Sequence, residues 1–295
     1  MSTHVSPVQP CPTDVPTARD LRRIAVAASH KVGPALRGAF RSAMEVRSKS
    51  APHDVVTEWD AATEVQLAQI LTAAVPNSRI IGEEYGRQGD GDIEWIVDPI
   101  DGTANFVHGL SLFSVSIAAA INDEVVAGVV HDPVNELTFS ADDAVAVLAD
   151  RQGERRLDAD ISDVARDKPE ERLCLTTGFP NRETLRADRD SSLEALGELT
   201  QAYGAVRRLS SSALELSFVA AGWTDLTMGV HTNPWDVAAG MLLVERAGGT
   251  VIALDSAGQP VEDRPHLAPH YLALGRSVEA PTARRVLARL ARPTP

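Results

Sequence analysis

Asp98 and Asp101 frame the stretch of the chain best equipped for chemistry, Trp95-Ile96-Val97-Asp98-Pro99-Ile100-Asp101-Gly102-Thr103-Ala104-Asn105-Phe106. Its first residues are apolar and rich in β-branched side chains, the pattern of a short buried strand. Pro99 has no N–H to give to a ladder and is expected to end the pairing. The strand therefore delivers two carboxylates to its end, followed by a Gly102-Thr103 turn with two N–H groups and a hydroxyl. That combination suits a divalent cation and a phosphate. Hard cations such as Mg²⁺ take oxygen ligands, commonly one or two carboxylates plus substrate phosphate, and the N–H groups of such a turn can face phosphate oxygens. Either aspartate alone reads equally well as an ordinary acidic turn, because Asp-Pro and Asp-Gly are common turn dipeptides.

Further carboxylates stand at comparable places. Gly82-Glu83-Glu84 follows directly on an expected strand, Arg79 to Ile81. Asp60 falls in the first turn of an expected helix, with Thr57 as its N-cap. Asn233-Pro234-Trp235-Asp236 opens another helix, where the macrodipole favours an acid, and Ala238, Ala239 and Gly240 permit close approach of a second backbone. His108, His131 and His231 lack the spacing of metal ligands, and His108 and His131 read as structural or exposed.

The elements that must position these groups follow from periodicity. A helix is expected from Arg19 to about Met44, broken or kinked at Gly33-Pro34, then a loop or loose hairpin over 45–57. A second helix, about Trp59 to Ala74, has Ala61, Val65, Ala68, Leu71 and Ala74 along one face. An antiparallel meander follows: Leu112 to Ile121, a turn at Asn122-Asp123, Val125 to His131, Leu137 to Ser140, and Val145 to Leu148. Residues 150–169 read as a connection. The second half alternates: strands at Leu173 to Thr176, Val206 to Leu209, Asp225 to Met228, Thr250 to Leu254 and Tyr271 to Leu274, with helices at Arg182 to Ala202, Ser212 to Ala221, Pro234 to Ala247 and Thr282 to Leu290. This describes an α/β lobe behind an α+β lobe. The expected organisation is a disordered tail over 1–18, an N-terminal α+β lobe over 19–155 carrying most of the metal ligands, and a C-terminal α/β lobe over 156–295 completing the site.

The chain has 295 residues, 44% hydrophobic and 23% charged, an ordinary globular composition. Apolar runs are too short to span a membrane, and the start lacks the basic and apolar regions of a signal peptide. Cys11 and Cys174 make no disulfide framework, so a reducing, cytoplasmic location is the default; Cys174 reads as a small core residue. A net charge of −13 opposes a nucleic-acid surface.

The whole string from Asp98 to Phe106 resembles the signature of the inositol monophosphatase family, Asp-Pro-Ile/Leu-Asp-Gly-Thr-x-Asn-Phe/Tyr. Trp235-Asp236-x-Ala-Ala-Gly resembles that family's second signature. Gly82-Glu83-Glu84 and Asp54-Val55-Val56-Thr57-x-x-Asp60 fit its pattern, and Arg208 to Ala213 occupies the place of its Arg-x-x-Gly-Ser/Thr-Ala stretch. The resemblance covers about residues 19 to 292. It implies the layered α-β-α-β-α sandwich of the inositol monophosphatase and fructose-1,6-bisphosphatase type, α+β and α/β in class. It implies a Mg²⁺-dependent, lithium-sensitive phosphomonoesterase with two metals, and a third, weaker Mg²⁺ near Glu83. Glu83, Asp98 and the carbonyl of Ile100 would hold one metal; Asp98, Asp101 and Asp236 would hold the other. Thr103, held by Asp60, would orient or deprotonate the water with Glu83 beside it, and Gly102 and Thr103 would bind phosphate. Ala104, Ser210, Ser211, Ser212 and His231 would line the substrate pocket. A small phosphomonoester substrate and a homodimer go with the family.

Two departures bear on the substrate. The family's inositol-binding Glu, six residues before the Trp of Trp-Asp, falls here on Gly229, or on Thr227 after a two-residue slip, and its Gly in the Arg-x-x-Gly stretch is replaced by Ser210. The resemblance therefore points to a polyol, cyclitol or sugar phosphate, with histidinol phosphate, fructose 1,6-bisphosphate and 3′-phosphonucleotides as alternatives. A non-enzymatic alternative is a regulatory protein that binds transcription machinery, as some bacterial members do.

Overall fold

Thr17 starts the first helix. Its hydroxyl accepts from the Asp20 N–H while the Asp20 carboxylate accepts from the Thr17 N–H, 3.2 Å each, a reciprocal cap. The computed structural model describes residues 16–48, 55–158 and 168–292. Most of the expected tail, and Asp54 of the family pattern, lie outside the described residues. Helix α1 (Ala18–Ala39) buries Leu21, Ala25, Ala28, Val32 and Leu36 on one stripe. The expected break at Gly33-Pro34 does not occur, and α1 ends at Ala39 rather than near Met44. Packing holds it helical through the proline: a Cβ on Gly33 would stand 2.7 Å from the His131 ring, so the helix lies directly on its neighbour there.

Strands β1 (Val46–Ser48) and β2 (Val55–Thr57) pair antiparallel, so the loop-or-hairpin segment contains a hairpin. Thr57 then caps α2 (Glu58–Ala74). The buried face of α2 is Asp60, Thr63, Glu64, Leu67 and Leu71. It is not the apolar stripe expected from periodicity, since Val65 is 42% exposed. The two acids go inward because each finds N–H partners, which an apolar period cannot register.

Among the described residues, the strands that follow are β3 (Ser78–Gly82), β4 (Gly86–Gln88), β5 (Ile93–Asp101), β6 (Ser114–Ile121), β7 (Glu124–Asp132), β8 (Leu137–Ala141), β9 (Ala146–Asp150) and β10 (Gly153–Arg156), with the short helix α3 (Thr103–His108) between β5 and β6. They form an eight-stranded sheet in the order β10-β9-β8-β7-β6-β5-β3-β4. Only β3 and β5 pair parallel in it. Asn122 and Asp123 both adopt positive φ, 53° and 65°, the geometry of a tight hairpin turn. Two expectations change here. β5 does not stop at Asp98; its ladder with β6 lapses after Asp98–Ser116 and resumes at Asp101–Ser114. Part of the expected connection after Asp150 is β10, an edge strand exposed at every residue and so without a burial period to reveal it.

The second half contributes β11 (Cys174–Thr177), α4 (Arg182–Ala187), α5 (Arg189–Ala202), β12 (Ala205–Arg207), α6 (Ser212–Ala220), β13 (Leu226–Val230), α7 (Pro234–Arg246), β14 (Thr250–Leu254), β15 (His270–Leu274) and α8 (Pro281–Leu290). The expected single helix over 182–202 is two, because Asp188 ends α4 and caps α5 through the Ser191 N–H at 3.0 Å. The strands form a five-stranded sheet, β12-β11-β13-β15-β14. Cys174 is half-buried at the start of β11 rather than in the core.

Three cores glue the layers together. Trp95 and Val97 face α1 and α2, while Ile96 between them faces the opposite side, the two-residue alternation of a strand buried on both faces. On that side α6 and α7 lie between the sheets, against Ile96, Ala118 and Val130 of one and Tyr271 and Ala273 of the other. Helices α5 and α8 cover the far face of the smaller sheet through Leu199, Val286 and Leu287. The result is the expected α-β-α-β-α sandwich. Its middle layer is tight: a Cβ on Gly128 of β7 would stand 2.9 Å from the Ala239 Cα of α7, and one on Gly240 would stand 2.5 Å from the Leu216 Cβ of α6.

Candidate active site

The carboxylates singled out in sequence come from four elements that end at one place. Asp98 lies at the lapse in the β5–β6 ladder, 2% exposed, with its Oδ1 accepting the Ile100 N–H at 2.9 Å. The lapse itself follows from Pro99, and it turns Asp98 and Asp101 to the same end of the sheet. Asp101 is anchored through both oxygens. Its Oδ1 accepts the Ser212 N–H at 3.1 Å; its Oδ2 accepts the Ala213 N–H at 3.1 Å and the Ser211 hydroxyl. These donors open α6, so the helix N-terminus is docked onto the carboxylate.

Asp236 sits in the first turn of α7, its Oδ2 accepting the Asn233 N–H at 2.8 Å. The Ser116 hydroxyl donates to the Trp235 carbonyl at 3.2 Å, which ties that turn to the strand residue paired with Asp98. Glu83 follows β3, and its N–H donates to the Val97 carbonyl at 3.2 Å. Burial pushes the Asp98 carboxyl well above the ordinary carboxylate range, and the charges of Glu83, Asp101 and Asp236 push it further. Burial raises Asp101 to about 6 against the pull of Ser211, and raises Asp236 to about 7. Such a set of mutually repelling buried acids either holds protons or holds cations, so its donor chemistry fits hard divalent ions. Among the described residues, no three of these side chains are already closed into a metal cage.

Thr103 opens α3, and its hydroxyl lies 2.9 Å from Asp60 Oδ1 and 3.0 Å from the Ile100 carbonyl. Asp60 is held from behind, its Oδ2 accepting both the N–H and the hydroxyl of Thr57 at 2.7 Å. Burial raises the Asp60 pKa. Gly102 has φ 93°, and a Cβ there would stand 2.9 Å from the Leu112 carbonyl oxygen, so both conformation and space demand glycine.

The expected pocket residues separate. Ala104 is half-buried on α3, and Ser210 is exposed with φ 57°, a left-handed position where a glycine would be at ease. Ser211 gives its hydroxyl to Asp101, and Ser212 gives the same carboxylate its backbone N–H. His231 does not join the carboxylates. Its ring meets His270 edge-on at 5.0 Å, and it lines a crevice of about 70 Å³ with Ser191 and Arg289, on the side of the smaller sheet covered by α5 and α8. Positive φ at His231 (56°) turns the chain between β13 and α7 and sends its side chain that way. The missing family Glu cannot be restored at Gly229, where a Cβ would stand 2.1 Å from the Tyr271 ring; Thr227 is wholly buried against Glu215.

Sequence reasoning missed three supporting residues. Glu64, wholly buried, accepts the N–H groups of Glu84 (2.8 Å) and Tyr85 (3.0 Å), which holds the Glu83 turn. Its spacing of four from Asp60 on one helix was the available signal. Asn105 donates to the carbonyls of Leu112 and Leu209, 2.7 Å each, and so joins α3 to the segment before α6. Glu215, 2% exposed, accepts the Leu209 N–H at 3.1 Å beneath the same segment.

A family model described as the inositol monophosphatase family matches residues 18–292. The chain belongs to the inositol monophosphatase family. Within it, the chain is 36% identical to the Nus factor SuhB of Pasteurella multocida over 77% of its own length and 83% of that protein's. It is 35% identical to the Nus factor SuhB of Escherichia coli K12 over the same shares. Among solved structures, the IMPase of Thermotoga maritima is 30% identical with a TM-score of 0.75, covering 91% of this chain and 96% of that one. The extragenic suppressor protein suhB of Bartonella henselae is 29% identical, also with a TM-score of 0.75, covering 92% and 98%.

Proposed function

We propose that this family member is a Mg²⁺-dependent phosphomonoesterase acting on a small polyol, cyclitol or sugar phosphate. One observation carries the reading: Asp98 and Asp101 of β5, Asp236 of α7 and Glu83 after β3 place their charges on one another at the ends of β3 and β5. Glu83, Asp98 and the Ile100 carbonyl would hold one cation, and Asp98, Asp101 and Asp236 a second, with Asp98 shared. Divalent ions there would lower the pKa of a water and neutralise charge on the leaving oxygen.

The chain's own residues supply the rest. The Thr103 hydroxyl has one hydrogen and faces two acceptors, so both its lone pairs are free to take a hydrogen bond from the attacking water. A proton passed through it arrives at Asp60 Oδ1, a carboxylate whose raised pKa suits it to accept. Thr57 keeps Asp60 from swinging away. The N–H groups of Gly102 and Thr103 would meet phosphate oxygens at the start of α3. A homodimer and a cytoplasmic location belong to the same reading; among the described residues, no helix is long and apolar enough to cross a membrane.

A second reading, a binding role independent of turnover, is favoured by the name Nus factor SuhB that the relatives carry. The experiment for both is phosphate release from a panel of phosphomonoesters with and without Mg²⁺, on wild type and Asp98→Asn. Asparagine keeps the acceptor for the Ile100 N–H but removes the charge, so turnover should fall at least about a hundredfold with the fold retained. Residual activity above a tenth of wild type at saturating Mg²⁺ sinks the metal assignment. An inert wild type that still captures a protein partner supports the second reading.

A further inference from the structure

Helix α2 sends two carboxylates inward. Asp60 and Glu64 stand one turn apart on the same face of the helix. Asp60 meets the Thr103 hydroxyl. Glu64 is wholly buried as well, and it serves a different stretch of chain.

Its two oxygens divide that service. Oε2 accepts the Glu84 N–H at 2.8 Å, and Oε1 accepts the Tyr85 N–H at 3.0 Å. Both residues belong to the turn that joins β3 to β4, directly after Glu83. The Glu83 N–H is held from the other side, by the Val97 carbonyl of β5 at 3.2 Å. Successive amides at Glu83, Glu84 and Tyr85 are therefore all pinned, and the Glu83 side chain leaves from the first of them. Its charge bears on Asp98 and on Asp236.

Only a carboxylate can do this. An ionised Glu accepts on both oxygens, whereas an amide accepts on one side and turns a donor toward the other N–H. The neighbouring glycine belongs to the same device. A Cβ on Gly82 would stand 2.1 Å from Glu64 Oε1 and 2.6 Å from Oε2. Gly82 is not among the glycines with positive φ, so space and not conformation requires it. Any side chain there would push the Glu64 carboxylate off the turn.

We propose that Glu64 is a positioning residue for the cation held through Glu83: it fixes the backbone at Glu84 and Tyr85, and with it the reach of the Glu83 carboxylate toward Asp98. This rests on the cation assignment proposed above. Glu64 touches neither the cation nor the substrate in this arrangement. Helix α2 then serves the site twice, with Asp60 holding Thr103 and Glu64 holding Glu83. One rigid element thereby sets the spacing between the hydroxyl that orients the water and the cation beside it.

The test is a double-mutant cycle read by calorimetric titration of Mg²⁺ into the full chain, without substrate. Glu64→Gln keeps the shape of the side chain and should weaken Mg²⁺ binding about tenfold. Gly82→Ala displaces the same carboxylate from the opposite side and should weaken binding in the same way. In a Glu83→Gln background, Glu64→Gln should add less than about a twofold loss, because its route to the cation is gone. Amide hydrogen exchange at Glu84 and Tyr85 should speed up in Glu64→Gln while exchange along β5 stays slow, which shows that the fold is kept. A full additional loss in the Glu83→Gln background would make Glu64 merely structural and overturn the proposal. So would wild-type Mg²⁺ affinity in both Glu64→Gln and Gly82→Ala, and in either case the cation assignment would stand. A wild type that takes up no Mg²⁺ would instead remove that assignment, and the proposal with it.

Discussion

Asp101 illustrates how a single side chain is held. Its carboxylate takes two backbone N–H groups and a hydroxyl from the start of α6, and the segment leading into that helix rests on Glu215. Burial and the Asp101 charge raise Glu215 to about 7, yet its two oxygens are committed, to Leu209 and to the Thr227 hydroxyl at 3.2 Å. Glu215→Ala strands both donors in the interior and should cost about 2–4 kcal/mol of unfolding free energy in urea. It should also lower any phosphate release, because Ser211 and Ser212 lose their support. Glu215→Gln keeps an acceptor for Leu209 and should stay within about 1 kcal/mol of wild type. Equal destabilisation by both changes would show that the charge matters and the hydrogen bonds do not.

At the scale of elements, three helices begin with the same local device. Asp20, Asp60 and Asp236 each occupy the third position of a helix and cap back onto the chain before it. Asp20 is exposed and serves only its helix. Asp60 and Asp236 do the same work and also face the carboxylate cluster, because α2 packs against β5 and α7 packs between the sheets. The position of α7 depends on Gly128, which lets its backbone approach β7 at Ala239. Gly128→Val should force the helix outward and cost about 1–3 kcal/mol by overpacking. Phosphate release should fall with it, since Asp236 moves with the helix. A variant as stable and as active as wild type would show that α7 has room to spare.

The whole molecule carries two opposed sets of buried titratable groups. His131 and His270 are both held at about 4 by burial, below their ordinary 6.5. His131 shares the Thr138 hydroxyl with His30, at 3.0 and 2.8 Å. A lowered histidine contributes stability that is complete above about pH 6.5 and is lost as pH falls toward 4. Asp101 and Asp236, raised from 3.8 to about 6 and about 7, act the other way. Their contribution is complete below about pH 4 and is lost as pH rises through 6 to 7. Asp98 and Glu215, also raised by burial, add to the acidic side, so without Mg²⁺ the acids outweigh the two histidines and the unfolding midpoint should fall as pH rises from about 5 to 7. Mg²⁺ replaces protons on the carboxylates, so the midpoint should then rise with pH across that window. The increment due to Mg²⁺ should be small near pH 5 and grow toward pH 7.5; an increment independent of pH would count against metal binding by these carboxylates.

The sequence by itself determined what depends on neighbours along the chain. The cap at Thr57, the helix start at Asn233-Pro234, the Asn122-Asp123 turn, the buried strand through Trp95, Ile96 and Val97, and the two signature strings were all legible, because each is set by a few consecutive residues. They were enough to expect the layered architecture and to single out Asp60, Glu83, Asp98, Asp101, Thr103 and Asp236. Only the tertiary structure decided the rest. Pro34 stays inside a helix because the packing of Gly33 on His131 outweighs a lost hydrogen bond. α2 turns Asp60 and Glu64 inward because distant N–H groups satisfy them, against its apolar period. His231, near the site in sequence, is carried to the opposite side of the smaller sheet by a single left-handed residue. Burial, and the partners that make burial of charge tolerable, come from segments far apart in the chain, and no local pattern encodes which segments will meet.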